Sequence, residues 1–179
     1  MDPVKFFKIK KEYDSFYNNL LKSGLLPMKD TNIGYWSAAI TEDVYRIFQR
    51  IGLERFRNIL DIGSGDGKVV LIASLFTNAI GIEADPTLHW KAIEVKKRLG
   101  LGKARLVNDD FFKHNFSNYD VLFLNPDRPL YRGLEDKLIR ELRGKLILYG
   151  PNFHPTRLKK ESQFFVNNTM VTVYSNKRA

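Results

Sequence analysis

Cysteine is missing from this chain altogether, and histidine and tryptophan are scarce, at three and two residues. No disulfide, thiolate metal site or cysteine nucleophile can therefore be built. His89, His114 and His154 show no paired ligand spacing, so no metal site is expected. Long apolar runs are also lacking: none approaches the ~20 residues of a membrane span, and no basic-then-apolar leader opens the sequence. A cytoplasmic protein without a membrane partner is the expectation. Repeats, low-complexity tracts and flexible linkers are absent too, and 179 residues at 44% hydrophobic content suffice for one ordinary core rather than two. The chain reads as a single domain over 1–179, with an N-terminal helical extension at 1–34 and the core at 35–179.

What is present alternates. "FRNILDI" (56–62), "NAIGIEA" (78–84), "KARLVN" (103–108), "YDVLFLN" (119–125) and "GKLILYG" (144–150) are short, rich in branched apolar residues and bounded by turn residues, as buried parallel strands are. Between them "DGKVVLIASLF", "PTLHWKAIEVKKRLG" and "GLEDKLIRELRG" carry helical spacing. This order predicts an α/β, doubly wound sheet. At the end of the chain "ESQFFVN" and "TMVTVYSN" flank Asn167 and Asn168 and read as an antiparallel hairpin. Seven strands follow, in the expected order 3-2-1-4-5-7-6 with strand 7 antiparallel.

The stretch "NILDIGSGDGKVV" (58–70) bears the chemistry. A strand ending near Asp61 and turning through Gly63, Gly65 and Gly67 into a helix lets the backbone approach a ligand at the edge where open α/β sheets bind nucleotides. A mononucleotide phosphate loop would end in Gly-Lys-Ser/Thr, but Gly67-Lys68 is followed by Val69. A dinucleotide site would want G-x-G-x-x-G, whereas this loop is G-x-G-x-G with Asp66 in the gap. Carboxylates beside such a loop suit a ligand carrying an ammonium or sulfonium centre.

Through "LDIGSGDG", "IGIEADP", "VNDDFF" and "DVLFLNPD", the chain resembles the class I (Rossmann-like) S-adenosylmethionine-dependent methyltransferases over roughly residues 35 to 150. The resemblance implies S-adenosyl-L-methionine as cofactor, held by Asp61, Gly63, Ser64, Gly65 and Gly67 of the loop, by Glu83 and Ala84 after the second strand, by Asp109 or Asp110 with Phe111 after the third, and by Asn125 after the fourth. Asp61 would orient the methionine ammonium, and Glu83 would accept from both ribose hydroxyls. Asp110 fits the adenine register better than Asp109. Asp85 before Pro86 reads instead as a helix cap. Asn125 is the expected substrate contact and Asp127 a candidate for removing a proton or binding a cation. Alignment of a nitrogen with an already electrophilic methyl would supply most of the catalysis.

The substrate is read less directly. "NPDR" departs from the family's Asn/Asp-Pro-Pro-aromatic pattern, since Asp127 and Arg128 stand where a second proline and a stacking aromatic would be, and this speaks against exocyclic base methylation. "IGYWSAAITEDVYRIF" before the glycine motif is loosely similar to telomeric-silencing-type lysine methyltransferases and their archaeal relatives, in which Tyr35 and Trp36 would cover the cofactor and meet the substrate. Against that, residues 128–179 carry eleven Lys/Arg to four Asp/Glu. Arg128, Arg132, His154, Arg157, Lys159 and Lys160 are expected at the catalytic edge, where a basic rim would attract phosphates. Arg128, Arg132 and Arg157 are the substrate-binding candidates on that reading. RNA thus stands slightly ahead of a basic protein as partner, and protein lysine methylation is the alternative. The N-terminal aromatics interleaved with Lys5, Lys8, Lys10 and Lys11 either pack on the core or form an RNA-gripping arm. A partner protein choosing the substrate, or a non-catalytic cofactor-binding subunit, is the remaining reading.

Overall fold

A computed structural model describes residues 2–31, 34–130 and 133–176. Helix α1 (Pro3–Lys22) starts where Asp2 accepts from the Lys5 amide at 3.1 Å, with Pro3 in the first turn. Ile9 and Tyr13, one turn apart, are its fully buried residues. A two-stranded antiparallel ribbon follows, β1 (Met28–Thr31) and β2 (Gly34–Ser37), and then helix α2 (Thr41–Ile51). The extension is therefore a helix plus half a ribbon. The expected boundary between residues 34 and 35 falls within the ribbon, whose exposed residues give no long apolar alternation to announce it.

The main sheet comprises β3 (Asn58–Ile62), β4 (Asn78–Glu83), β5 (Ala104–Asn108), β6 (Val121–Leu124), β7 (Lys145–Tyr149), β8 (Lys159–Val166) and β9 (Thr169–Ser175). Its order is β5-β4-β3-β6-β7-β9-β8, with β9 antiparallel to both neighbours, which is the expected 3-2-1-4-5-7-6. The crossovers carry α3 (Lys68–Ala73), α4 (Pro86–Leu99) and α5 (Leu134–Glu141). Alternate residues of each strand feed two apolar layers. Ile59, Phe123, Ile147 and Val171 face one layer with α1, α2 and α3, while Leu60, Leu122, Leu146 and Tyr174 face the other with α5.

Register decides where the chemistry sits. Ile62 is level with Ile82 and with Leu124, so the acid of β3, the acid ending β4 and the asparagine after β6 emerge at one edge. Helix α3 is buried along its whole length, because α1 and α2 close over it on the side away from the sheet. The hairpin turns at Asn167 with φ 50°, pairing Val166 with Thr169. Asn167 Nδ2 and Thr169 Oγ1 both donate to the Asp43 carboxylate of α2, which is 1% exposed. Removing that buried acceptor takes the charged partner from both donors, the half-buried Thr169 and the exposed Asn167. Asp43→Ala should therefore destabilise the fold by about 1–3 kcal/mol, read as a lower urea midpoint with an unchanged slope.

Candidate functional site

A cavity of about 650 Å³ opens at the edge where β3, β4 and β6 end, within the size range of small-molecule sites. Its floor is the loop from Asp61 to Lys68, with Glu83 and Ala84 beside it. Asp110, Phe111 and Phe112 form one wall. Asn125, Pro126, Asp127 and Arg128 form the opposite side, and Tyr35, Trp36 and Ser37 of β2 form the cover. Gly65 is left-handed at φ 53°, and a Cβ there would stand 2.4 Å from Trp36 Cδ1, so the ribbon indole rests directly on bare backbone.

Each acid of the floor has a different environment. Glu83 accepts from the amides of Gly65 at 2.7 Å and Asp85 at 2.8 Å, which ties the glycine loop to the end of β4. Asp66, 3% exposed, accepts from the Tyr17 hydroxyl at 2.5 Å and the Lys68 amide at 3.2 Å, and its carbonyl accepts from Tyr13 at 2.7 Å. Asp61, 5% exposed, has no side-chain hydrogen bond among the described residues. Burial raises all three carboxyls above their ordinary range. Glu83 and Asp66 add to the rise at Asp61, whereas Lys68 and the Tyr17 hydroxyl oppose it at Asp66.

The ribbon is clipped at several points. The Tyr35 amide donates to Asp127 Oδ2 at 2.7 Å, and Arg128 donates to the same carboxylate through Nε at 3.1 Å and Nη2 at 2.8 Å. Asn125 Nδ2 donates to the Ser37 carbonyl at 3.3 Å, and Lys29 reaches Asp85 at 2.9 Å. Asp85 also caps α4 through the amides of Thr87 and Leu88, as a structural residue would.

The structure brings most of the expected residues together. Asp61, Gly63, Ser64, Gly65, Glu83, Ala84, Asp110, Phe111, Asn125, Asp127, Tyr35, Trp36 and Arg128 line the cavity. Gly67 does not, because a Cβ there would stand 2.3 Å from Ala92 Cβ; this glycine admits α4 to the loop. Asp109 is also outside it, turned to Lys113 at 2.9 Å and His114 at 3.1 Å, with the lysine pulling its carboxyl down to about 2. Arg157 pairs with Asp136 at 2.5 Å and approaches Glu135 at 3.8 Å, away from the cavity. Arg132 lies outside the described residues. Lys159 and Lys160 sit at the opposite end of the sheet, since Lys160 is level with Tyr174 and hence with Leu146 near the start of β7. Lys159 pairs with Glu161 at 3.1 Å, and His154 Nδ1 lies 2.6 Å from the Tyr174 hydroxyl. The expected basic rim is thus dispersed, and where described it is largely matched by acids.

Asp66 and Lys68 line the cavity and Tyr13 and Tyr17 support them from α1, roles that the sequence assigns to none of the four. Only the i, i+4 spacing of the tyrosines hints at a shared face of α1. Among the described residues no cluster of three or more His, Asp or Glu could hold a metal, and no helix is long and apolar enough to cross a membrane.

Sheet order, glycine loop, acidic strand ends and closing hairpin together define the class I S-adenosylmethionine-dependent methyltransferase fold. The chain's curated relatives are methyltransferases as well. Over 109 residues it is 37% identical to a human lysine N-methyltransferase named for an ATP synthase component, a match taking in 58% of this chain and 45% of the relative. Over 155 residues it is 31% identical to the release factor glutamine methyltransferase of Buchnera aphidicola subsp. Schizaphis graminum, covering 84% and 50%. The chain thus spans about half the length of the curated relatives it matches. The RNA methyltransferase from Salinibacter ruber, solved with S-adenosyl-L-homocysteine, shares the fold at a TM-score of 0.66 and 22% identity, over 78% of this chain and 94% of that one. No protein-family model matches the chain.

The unmatched Asp61 has a measurable signature. Its carboxyl is raised by burial, so the folded state holds that proton more tightly than the unfolded chain does, and Asp61 costs stability as pH rises above the ordinary carboxylate value. Asp61→Asn should therefore stabilise the ligand-free protein at neutral pH. In thermal melts the gain should shrink to nothing as pH falls below about 4, where both states are protonated.

Proposed function

We propose that this chain is an S-adenosylmethionine-dependent methyltransferase acting on a nitrogen of a macromolecule, with a protein side chain preferred to RNA. The observation that carries the cofactor reading is Asp61, a buried carboxylate with no donor among the described residues, lining the cavity. Burying such a group is unfavourable unless a cation or donor meets it, and an ammonium-bearing ligand supplies both. Glu83 spends one lone pair of each oxygen on backbone amides and keeps the others for a pair of hydroxyls. Asp110 and the rings of Phe111 and Phe112 offer a slot for a planar base.

When bound, the cofactor would supply an electrophilic sulfonium methyl to a substrate nitrogen, which would give up one proton to water. The residues orient. Asn125 gives one amide hydrogen to the Ser37 carbonyl and keeps Oδ1 for a substrate N–H, fixing the direction of the nitrogen lone pair. Tyr35 and Trp36 cover the reacting centre and limit water. Asp127 holds Arg128 at the mouth, so the negative charge there already accommodates a cationic side chain.

Protein is preferred to RNA because, among the described residues, the cations expected to grip phosphates are matched by Asp127, Asp136 and Glu161 or lie at the far end of the sheet. The two curated relatives are, by their names, methyltransferases of a lysine and of a glutamine. Radiolabelled S-adenosylmethionine incubated with total protein and total RNA from cells lacking this gene should label protein. Label in RNA alone would overturn the substrate reading. Binding of S-adenosylhomocysteine without any transfer would make the chain a non-catalytic subunit, and absence of binding would overturn the cofactor. Asn125→Ala should lower kcat at least about tenfold while barely moving S-adenosylhomocysteine affinity by calorimetry, because its contact is to substrate.

A further inference from the structure

Of the contacts that hold the ribbon over the cavity, one is built differently from the rest. Trp36 meets Gly65 by van der Waals contact, Lys29 reaches Asp85 from a side chain that is 45% exposed, and the Asn125 bond to the Ser37 carbonyl is long at 3.3 Å. The Tyr35 amide, by contrast, donates to Asp127 Oδ2 at 2.7 Å, a charge-assisted bond whose donor has no side-chain freedom to lose. In the two-stranded ribbon β2 pairs with β1, and its other edge carries backbone donors with no strand beside them. Asp127 caps that edge. Arg128 braces the same carboxylate through Nε and Nη2. The ribbon is also shaped to admit the pair, since a Cβ on Gly34 would stand 2.7 Å from Asp127 Oδ2 and 2.9 Å from Arg128 Nη2. Residue 127 is, moreover, where "NPDR" departs from a second proline, and a proline has no side-chain acceptor to offer an amide.

We infer that Asp127 is a positioning residue that latches the ribbon and so sets Tyr35 beside the substrate end of the cavity; its bearing on the reaction rests on the methyltransferase reading above. Asp127 follows Asn125 by two residues in the loop after β6. The loop that offers an acceptor to the substrate nitrogen therefore also fastens the cover, and Asn125 adds a second fastening at Ser37. Closure and alignment thus share one loop, so that water is shut out when the acceptor is in place. This role uses the carboxylate as an acceptor for the ribbon, acting through Tyr35, and asks no proton transfer of it.

The test reads the cover directly. The chain has two tryptophans, of which Trp90 is 65% exposed, so in a Trp90→Phe background the emission of Trp36 reports whether the ribbon rests on Gly65. Acrylamide quenching of the ligand-free full chain should rise in Asp127→Ala, with a red-shifted emission maximum. Gly34→Ala should give the same rise from the other side of the contact, because its methyl displaces only the ends of two flexible side chains and spares the fold. Asp127→Asn, whose Oδ1 can still accept from the Tyr35 amide, should stay close to the background. Release of S-adenosylhomocysteine in stopped flow should quicken about three- to tenfold in Asp127→Ala and Gly34→Ala. Unmoved quenching in either variant would overturn the latch. So would a rise in Asp127→Asn as large as in Asp127→Ala, which would make charge rather than the Tyr35 bond the role of Asp127. Failure of the unsubstituted chain to bind S-adenosylhomocysteine would overturn the cofactor reading instead, and the quenching would still judge the latch.

Discussion

The buried carboxylate of Asp66 is the point on which the site hangs. It lies in the turn between β3 and α3, and the group that satisfies it comes from the far N-terminus, as the Tyr17 hydroxyl, while Tyr13 takes the carbonyl of the same residue. A carboxylate so enclosed would be strongly unfavourable without those partners. Helix α1 therefore has to lie across α3 and α4, and Ile9 and Tyr13 give it the apolar area to stay there. Its other rings are engaged too: Phe6 stacks on Tyr45 at 3.9 Å, and Phe16 lies under Lys91. An aromatic stripe already used in this way is a structural brace for the glycine loop, with little left over to stack on bases.

With its base fixed by α1, the cavity is closed by a cover of another kind. The ribbon β1–β2 is mostly exposed and contributes little apolar burial. Trp36 rests on Gly65, Lys29 meets Asp85, Tyr35 meets Asp127 and Ser37 meets Asn125, so the loops after β3, β4 and β6 hold it through four contacts. Surface pairs of this sort contribute about 0–1 kcal/mol each. Such a cover can lift without disturbing the sheet, whereas the loop beneath it cannot move unless α1 moves. A rigid base under a weakly attached cover suits a site that must admit a large ligand and then exclude water from a methyl group in transit.

How much of this the sequence discloses follows from the range of the interactions. Strand order is legible because buried parallel strands are short branched runs, and because a hairpin marked by Asn167 fixes the last two. The positions of Asp61, Glu83, Asp110 and Asn125 follow, since each ends or follows a strand whose place in the sheet is known. The Tyr17 bond to Asp66 spans 49 residues, and nothing local to either residue signals it. Lys68 is visible only as the lysine of a phosphate loop that fails for want of a following hydroxyl. The basic rim misleads for the same reason: Arg157 looks free in one dimension, and its partner Asp136 lies 21 residues away on α5. Lys159 and Lys160 are expected on the loop side of β8, yet the register places them at the strand's opposite end.

Two aspartates five residues apart divide the work of this loop, and their surroundings explain the division. Asp66 and Asp61 are comparably buried, and burial raises the carboxyls of both. Around Asp66 the protein has placed a hydroxyl, an amide and an ammonium, so that its charge is answered internally and its task is to hold the backbone. Around Asp61 it has placed two further acids and no donor among the described residues. A chain selected for stability alone would have no reason to keep such a group at the centre of its sheet. The asymmetry is intelligible if the missing partner arrives from outside, through the cavity that Asp61 lines.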